Sequence, residues 1–185
     1  MTIASQTLVT DVHINWEGPF TKLEASNLNS TADHGLYQFY GEHLIYGSDT
    51  LLYFGKAQEL TFGNRISVQN WDVWSSNTIQ IYIGKIFSKS ILEEQVWLNQ
   101  IDLSEKIILQ SHGPAFNSSN INKIGYIGED IRIFNWGTRR LLLPEVSVSR
   151  CEGKHAVGNK LKAEFLAQHK VLAAAPPELQ AATIE

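Results

Sequence analysis

Between Gly35 and Lys56 two tyrosines lie close to glycines on short runs of aromatic and branched residues, Gly35-Leu36-Tyr37-Gln38-Phe39-Tyr40 and Leu51-Leu52-Tyr53-Phe54-Gly55-Lys56. A phenol with a pKa of about 10 is a poor base at neutral pH, but a nearby cation stabilises its phenolate. Lys56, just after Tyr53, is the candidate for that cation. Taken alone the pair has a plainer reading, because tyrosine is a common strand residue that buries its ring and leaves its hydroxyl wet.

The two runs, bounded by Gly, Ser, Asp and Thr, predict two strands joined as a hairpin, with residues 41–50 as a long tip that contains His43. Upstream, residues 7–15 alternate as a strand that Trp16-Glu17-Gly18-Pro19 should end; a short helix is expected over 23–28 and a polar loop over 27–34. Downstream, 64–70 reads as a short helix and 78–87 as the strongest strand. Ser90-Ile91-Leu92-Glu93 has the capping-box pattern and predicts a helix to about Asn99. Asp102-Leu103-Ser104-Glu105 repeats that pattern and predicts a second helix, which Gly113-Pro114 must stop. Short strands are expected again at 123–127, 130–135 and 140–147, then a helix over 157–172 and a mobile tail from 173.

A length of 185 residues suits one domain with extensions, and 43% hydrophobic with 18% charged residues is an ordinary globular balance. No apolar run approaches the ~20 residues of a membrane span, and the first residues carry no pattern of a secretory signal. The single cysteine, Cys151, excludes an internal disulfide and reads as inert; a reducing, cytoplasmic setting is expected. The net charge of −4 is uneven: residues 1–118 hold six Lys/Arg against twelve Asp/Glu, and residues 119–185 hold nine against seven. Non-specific affinity for a polyanion should therefore be weak, while a local basic patch remains open.

Gly35-Leu36-Tyr37 followed by Tyr53-Phe54-Gly55-Lys56 resembles the paired signature of the GIY-YIG nucleases, a family named for those tripeptides. Two decoys, Tyr82-Ile83-Gly84-Lys85 and Tyr126-Ile127-Gly128, match the second tripeptide better. The family places an arginine on the helix that follows, and Arg65 stands twelve residues beyond Tyr53, whereas the next arginine after Tyr82 is Arg132. The family then has a helical glutamate, a proline and an asparagine, which here are Glu105, Pro114 and Asn117. The resemblance covers residues 34–120.

It implies an α+β fold, with a core of β-hairpin, helix, strand and two helices around a small mixed sheet at 34–120. Strand-rich extensions would flank it at 1–33 and 121–172, with a flexible tail at 173–185. It implies a catalytic set of Tyr37, Tyr53, Lys56, Arg65, Glu105 and Asn117. Glu105 would hold one Mg²⁺ (or Mn²⁺) per site that keeps most of its waters. Arg65, forked and permanently charged, suits a phosphate. Tyr37 is preferred as base and Tyr53 as a ligand to phosphate or water, with those roles open to exchange; Asn117 would anchor the end of the helices. Against the family pattern the loop between tripeptides is longer, two extra residues precede Arg65, and Gln69 stands where some members have histidine, leaving His43 and His112 as spare candidates.

The chain has no recognisable second domain, which suits the compact restriction endonucleases of the family. The expected activity is sequence-specific cleavage of DNA by a homodimer, since two cuts on a palindrome call for two sites. Arg132, Arg139 and Arg140 are candidate nucleic-acid contacts, and Trp71, Trp74, Trp97 and Trp136 read as core or interface. The alternatives are a catalytically silent nucleic-acid-binding protein of the same fold, or a repair or structure-specific nuclease.

Overall fold

Alternation at the start of the chain builds the middle of the sheet. Along β1 (Val9–Phe20) the side chains of Val12, Ile14 and Trp16 are buried while Asp11 and Glu17 face water. The computed structural model describes residues 9–69, 79–88, 92–119 and 130–147, all within one unit spanning Met1–Val148. β1 pairs antiparallel with β4 (Gln80–Phe87) and parallel with β5 (Asp130–Gly137). With β2 (Gly35–His43), β3 (Gly47–Ala57) and β6 (Glu145–Ser147) they form one mixed sheet, in the order β3-β2-β4-β1-β5-β6. The described helices are α1 (Lys22–Ser26), α2 (Phe62–Ser67) and α3 (Glu94–His112), so the fold is α+β.

The segments before and after the hairpin region thus supply strands of the same sheet. From His13 to Trp16 both edges of β1 are paired inside the chain. β1 also runs further than expected: a register shift between Glu17 and Phe20 absorbs Gly18-Pro19 instead of ending the strand.

One sheet face is closed by the two short helices. Tyr37, Phe39, Ala57, Ile81 and Ile83 pack with Ala25 of α1 and with Phe62 and Ile66 of α2. Thr21 and Glu24 form a reciprocal cap on α1, and Thr61 caps α2, which begins two residues earlier than the sequence suggested. At the start of β2, Gly35 has φ 147° and a Cβ there would run into the Gly84 carbonyl oxygen, so only glycine lets β2 meet β4. Gly84 of the decoy tripeptide is packing: a Cβ there would lie 2.7 Å from the Trp16 ring.

Three expectations need correction. The long hairpin tip is mostly strand, turning only at Leu44, Ile45 and Tyr46, whose amides at 45 and 46 both donate to His43 Nδ1 at 3.2 Å. The two expected helices are one: α3 runs through Asp102 without a break. Ile101, Ser104, Ile107 and Ile108 form one buried stripe across the predicted boundary, and the Asp102 carboxylate turns to Lys56 and Lys106 rather than to helix amides. Of the strand expected over 140–147 only Glu145–Ser147 pairs, because Arg140 has φ 58° and turns the chain. The features expected at Ser90, Trp71, Trp74, 123–127, Cys151, 157–172 and the tail lie outside the described residues. Among the described residues no helix is long and apolar enough to cross a membrane.

α3 ends as expected at Gly113, which takes φ 55° and donates to the Leu109 carbonyl. His112 bonds the Ile108 carbonyl through Nδ1 at 2.9 Å and accepts from the Leu143 amide through Nε2 at 2.9 Å, an arrangement that requires neutral imidazole. Burial holds its pKa below the usual value. A histidine depressed in the folded state binds its proton more readily when unfolded, so its contribution is complete above about pH 6.5 and is lost as pH falls. Urea midpoints measured from pH 7 to pH 5 should fall more steeply for the wild type than for His112→Gln.

Candidate active site

Tyr37 projects from β2 onto the face closed by α2 and is completely buried. Its hydroxyl lies over Gly55 of β3: a Cβ at Gly55 would come within 2.7 Å of that oxygen and 2.9 Å of the Tyr53 ring. The Tyr37 and Tyr53 rings are stacked with centroids 6.1 Å apart. Gly55 is therefore the space into which the Tyr37 phenol fits.

The Tyr37 hydroxyl and Arg65 Nε are both buried without a well-aligned hydrogen bond. Such atoms are uncommon in folded proteins, and here the two groups lie against each other, close enough for the guanidinium to act on the phenol. Burial, and then Tyr53, raise the Tyr37 pKa; the nearby Arg65 guanidinium opposes them without prevailing. Tyr37 is thus a neutral phenol, and the cation that bears on it is Arg65 of α2.

Lys56, on the opposite side of β3 from Tyr53, turns to α3. Its ammonium pairs with Asp102 and lies 3.5 Å from Glu105 Oε2. Burial works to lower the Lys56 pKa, but Asp102 and Glu105 more than offset it. For Asp102 burial is outweighed by Lys106 and Lys56, which hold the carboxyl below its usual range. Glu105 goes the other way: burial raises it above the ordinary glutamate value, although Lys56 pulls it down.

Lys56, Arg65 and Glu105 open onto one pocket of about 250 Å³, with Gln58, Glu59 and Leu60 completing its wall. Tyr37 backs this pocket through Arg65. Asn117 does not line it; its side chain donates to the Phe54 carbonyl at 2.8 Å and accepts from the Phe54 amide at 2.9 Å, tying the chain after α3 to β3. His43, His112 and Gln69 are not among the lining residues.

The three arginines read as nucleic-acid contacts are each engaged within the chain. Arg132 is paired with Asp11, Arg139 bonds the Leu142 carbonyl, and Arg140 is paired with Asp49 while stacking on Tyr40 and Tyr82. Asp102 was read from the sequence only as a helix cap, yet it shares Lys56 with Glu105. The signal for it was its spacing: three residues before Glu105, it falls on the same helix face.

Two carboxylates, Glu59 and Glu105, line the pocket, and among the described residues no three histidine, cysteine or acidic side chains gather as a cage. That donor set fits Mg²⁺, which keeps most of its waters and takes one or two carboxylates. No protein family, characterised protein or solved structure was found to match the chain. What the site can do has to be read from its own side chains.

Two substitutions test what these side chains contribute to stability. A glutamate whose folded pKa is raised favours the fold when protonated, below about pH 4.5, and that contribution is lost as pH rises. Glu105→Gln should therefore unfold at a temperature equal to or above the wild type at pH 7, with the difference vanishing near pH 4, as calorimetry would show. Asn117→Ala removes two hydrogen bonds to Phe54 and should cost about 2 kcal/mol in urea unfolding.

Proposed function

We propose that the chain is a metal-dependent endonuclease of the GIY-YIG type that hydrolyses phosphodiester bonds of DNA, acting as a homodimer in the manner of a restriction enzyme. The observation that carries this reading is the convergence of Lys56, Arg65 and Glu105, from β3, α2 and α3, on one open polar pocket backed by Tyr37. The order β2, β3, α2, β4, α3 also supports it, with one long helix where the resemblance implies two.

Arg65 presents a planar fork to a phosphate in the pocket and carries its charge at every accessible pH. A Mg²⁺ held at Glu105 would supply a Lewis acid and an acidified water. Lys56 keeps its Asp102 partner when Glu105 turns to other work, so the ammonium stays in place beside the reacting phosphate. Tyr37, buried and neutral, suits hydrogen bonding better than proton abstraction, while Tyr53 is only half-buried. The two roles are therefore best exchanged, with Tyr53 beside the attacking water.

Binding without cleavage is the second reading, favoured by the Lys56–Glu105 contact that occupies the metal-binding carboxylate. Plasmid and mixed oligonucleotides incubated with and without Mg²⁺ should be cut only with the metal, and Glu105→Ala should lower the rate by ~100-fold or more. Cutting unaffected by that substitution would remove Glu105 from the reaction. DNA bound but left intact by the wild type across pH and metals would favour the second reading.

A further inference from the structure

Beyond α1 and α2 the sheet carries a continuous row of rings. The register pairs His13 of β1 with Phe87 of β4 and with Phe134 of β5, and Trp136 lies two residues further along β5. Centroids are 5.5 Å apart for His13–Phe87, 5.1 Å for His13–Phe134 and 6.4 Å for Phe134–Trp136. In a closed core such rings would be covered, yet Phe87 and Trp136 are each 49% exposed. The sequence favoured core or interface for Trp136.

A pocket of about 400 Å³ opens here, walled by His13, Phe87 and Trp136, with Asp11, Ser88 and Gln100 as polar groups. Ligand sites have this size and character: mostly apolar walls with a few fixed polar groups. Two of the lining side chains, His13 and Asp11, are held in place. Trp136 Nε1 donates to His13 Nδ1 at 3.1 Å, which orients the imidazole, and Arg132 grips both oxygens of Asp11 at 2.8 and 3.0 Å.

We propose that this pocket binds a nucleobase, stacked on Trp136 and Phe87 with its edge toward Asp11, Ser88 and Gln100. Planar walls select a planar ring over an aliphatic group, and the mixed polar groups match a base edge. Stacking needs few cations, which suits a chain of net charge −4. The source assigned to the base is an unpaired nucleotide of the strand cut at Glu105, a step that rests on the proposed nuclease function. α3 lines both pockets, through Gln100 here and Glu105 at the other, and β1 stands three strands from β3 in the sheet, about 14 Å, a span of a few nucleotides.

The test uses Glu105→Gln protein in metal-free buffer, titrated with a single-stranded oligonucleotide carrying 2-aminopurine and separately with 2-aminopurine nucleoside monophosphate. The fluorescence should be quenched. Adding Trp136→Ala or Phe87→Ala should weaken oligonucleotide binding about tenfold, and Trp136→Phe should restore it, with circular dichroism confirming that each variant folds. Quenching by both probes at equal affinity keeps the base pocket and makes a free nucleotide its source. Absence of quenching, or folded Ala variants that bind as well as their parent, overturns the pocket even where the wild type cuts plasmid. Quenching by the variant, together with a wild type that cuts no DNA in the presence of Mg²⁺, keeps the pocket and overturns the nuclease reading instead.

Discussion

An edge strand must be closed, and here the chain closes its own. β3 is the last strand on one side of the sheet, and the segment leaving α3 lies along its free edge: the Ala115 amide donates to the Leu51 carbonyl, the Phe116 amide to that of Leu52, and Asn117 takes both groups of Phe54. An unpaired edge of this length would invite pairing with other chains. Closing it this way also fixes the end of α3 against β3, and so settles where Glu105 stands relative to Lys56. Gly113 makes the reversal possible, since its φ of 55° lets the helix stop and the chain turn back at once.

The candidate site is assembled against the ordinary preferences of its groups. Burial pushes the Glu105 carboxyl and the Tyr37 phenol toward their neutral forms, while Lys56 remains charged between two acids. Tyr37 and Arg65 face each other, so the buried phenol sits against the guanidinium that lines the pocket. Asp102 makes the arrangement tolerable, because it holds Lys56 by a contact that does not involve Glu105.

The two ends of the one sheet present different surfaces. On the side of β2 and β3 the shared face is sealed by Ala25, Phe62 and Ile66, and its polar rim is the Glu105 pocket. On the side of β1 and β5 the rings of His13, Phe134 and Trp136 continue toward water. α3 contributes to both pockets, through Gln100 to one and Glu105 to the other.

Local pattern alone determined the alternating strand around Val12 and Ile14, the two arms of the hairpin, the strand ending at Phe87 and the stop at Gly113-Pro114, because each is set by neighbours within a few residues. Tertiary packing decided the rest. α3 is continuous because a buried stripe and the Lys56 partner outweigh a capping pattern at Asp102. β1 lies between β4 and β5 because only the assembled sheet pairs strands so far apart in the chain. The partners of Lys56 and the exposure of Trp136 likewise depend on contacts between distant segments, and those contacts have no local spacing by which to be read.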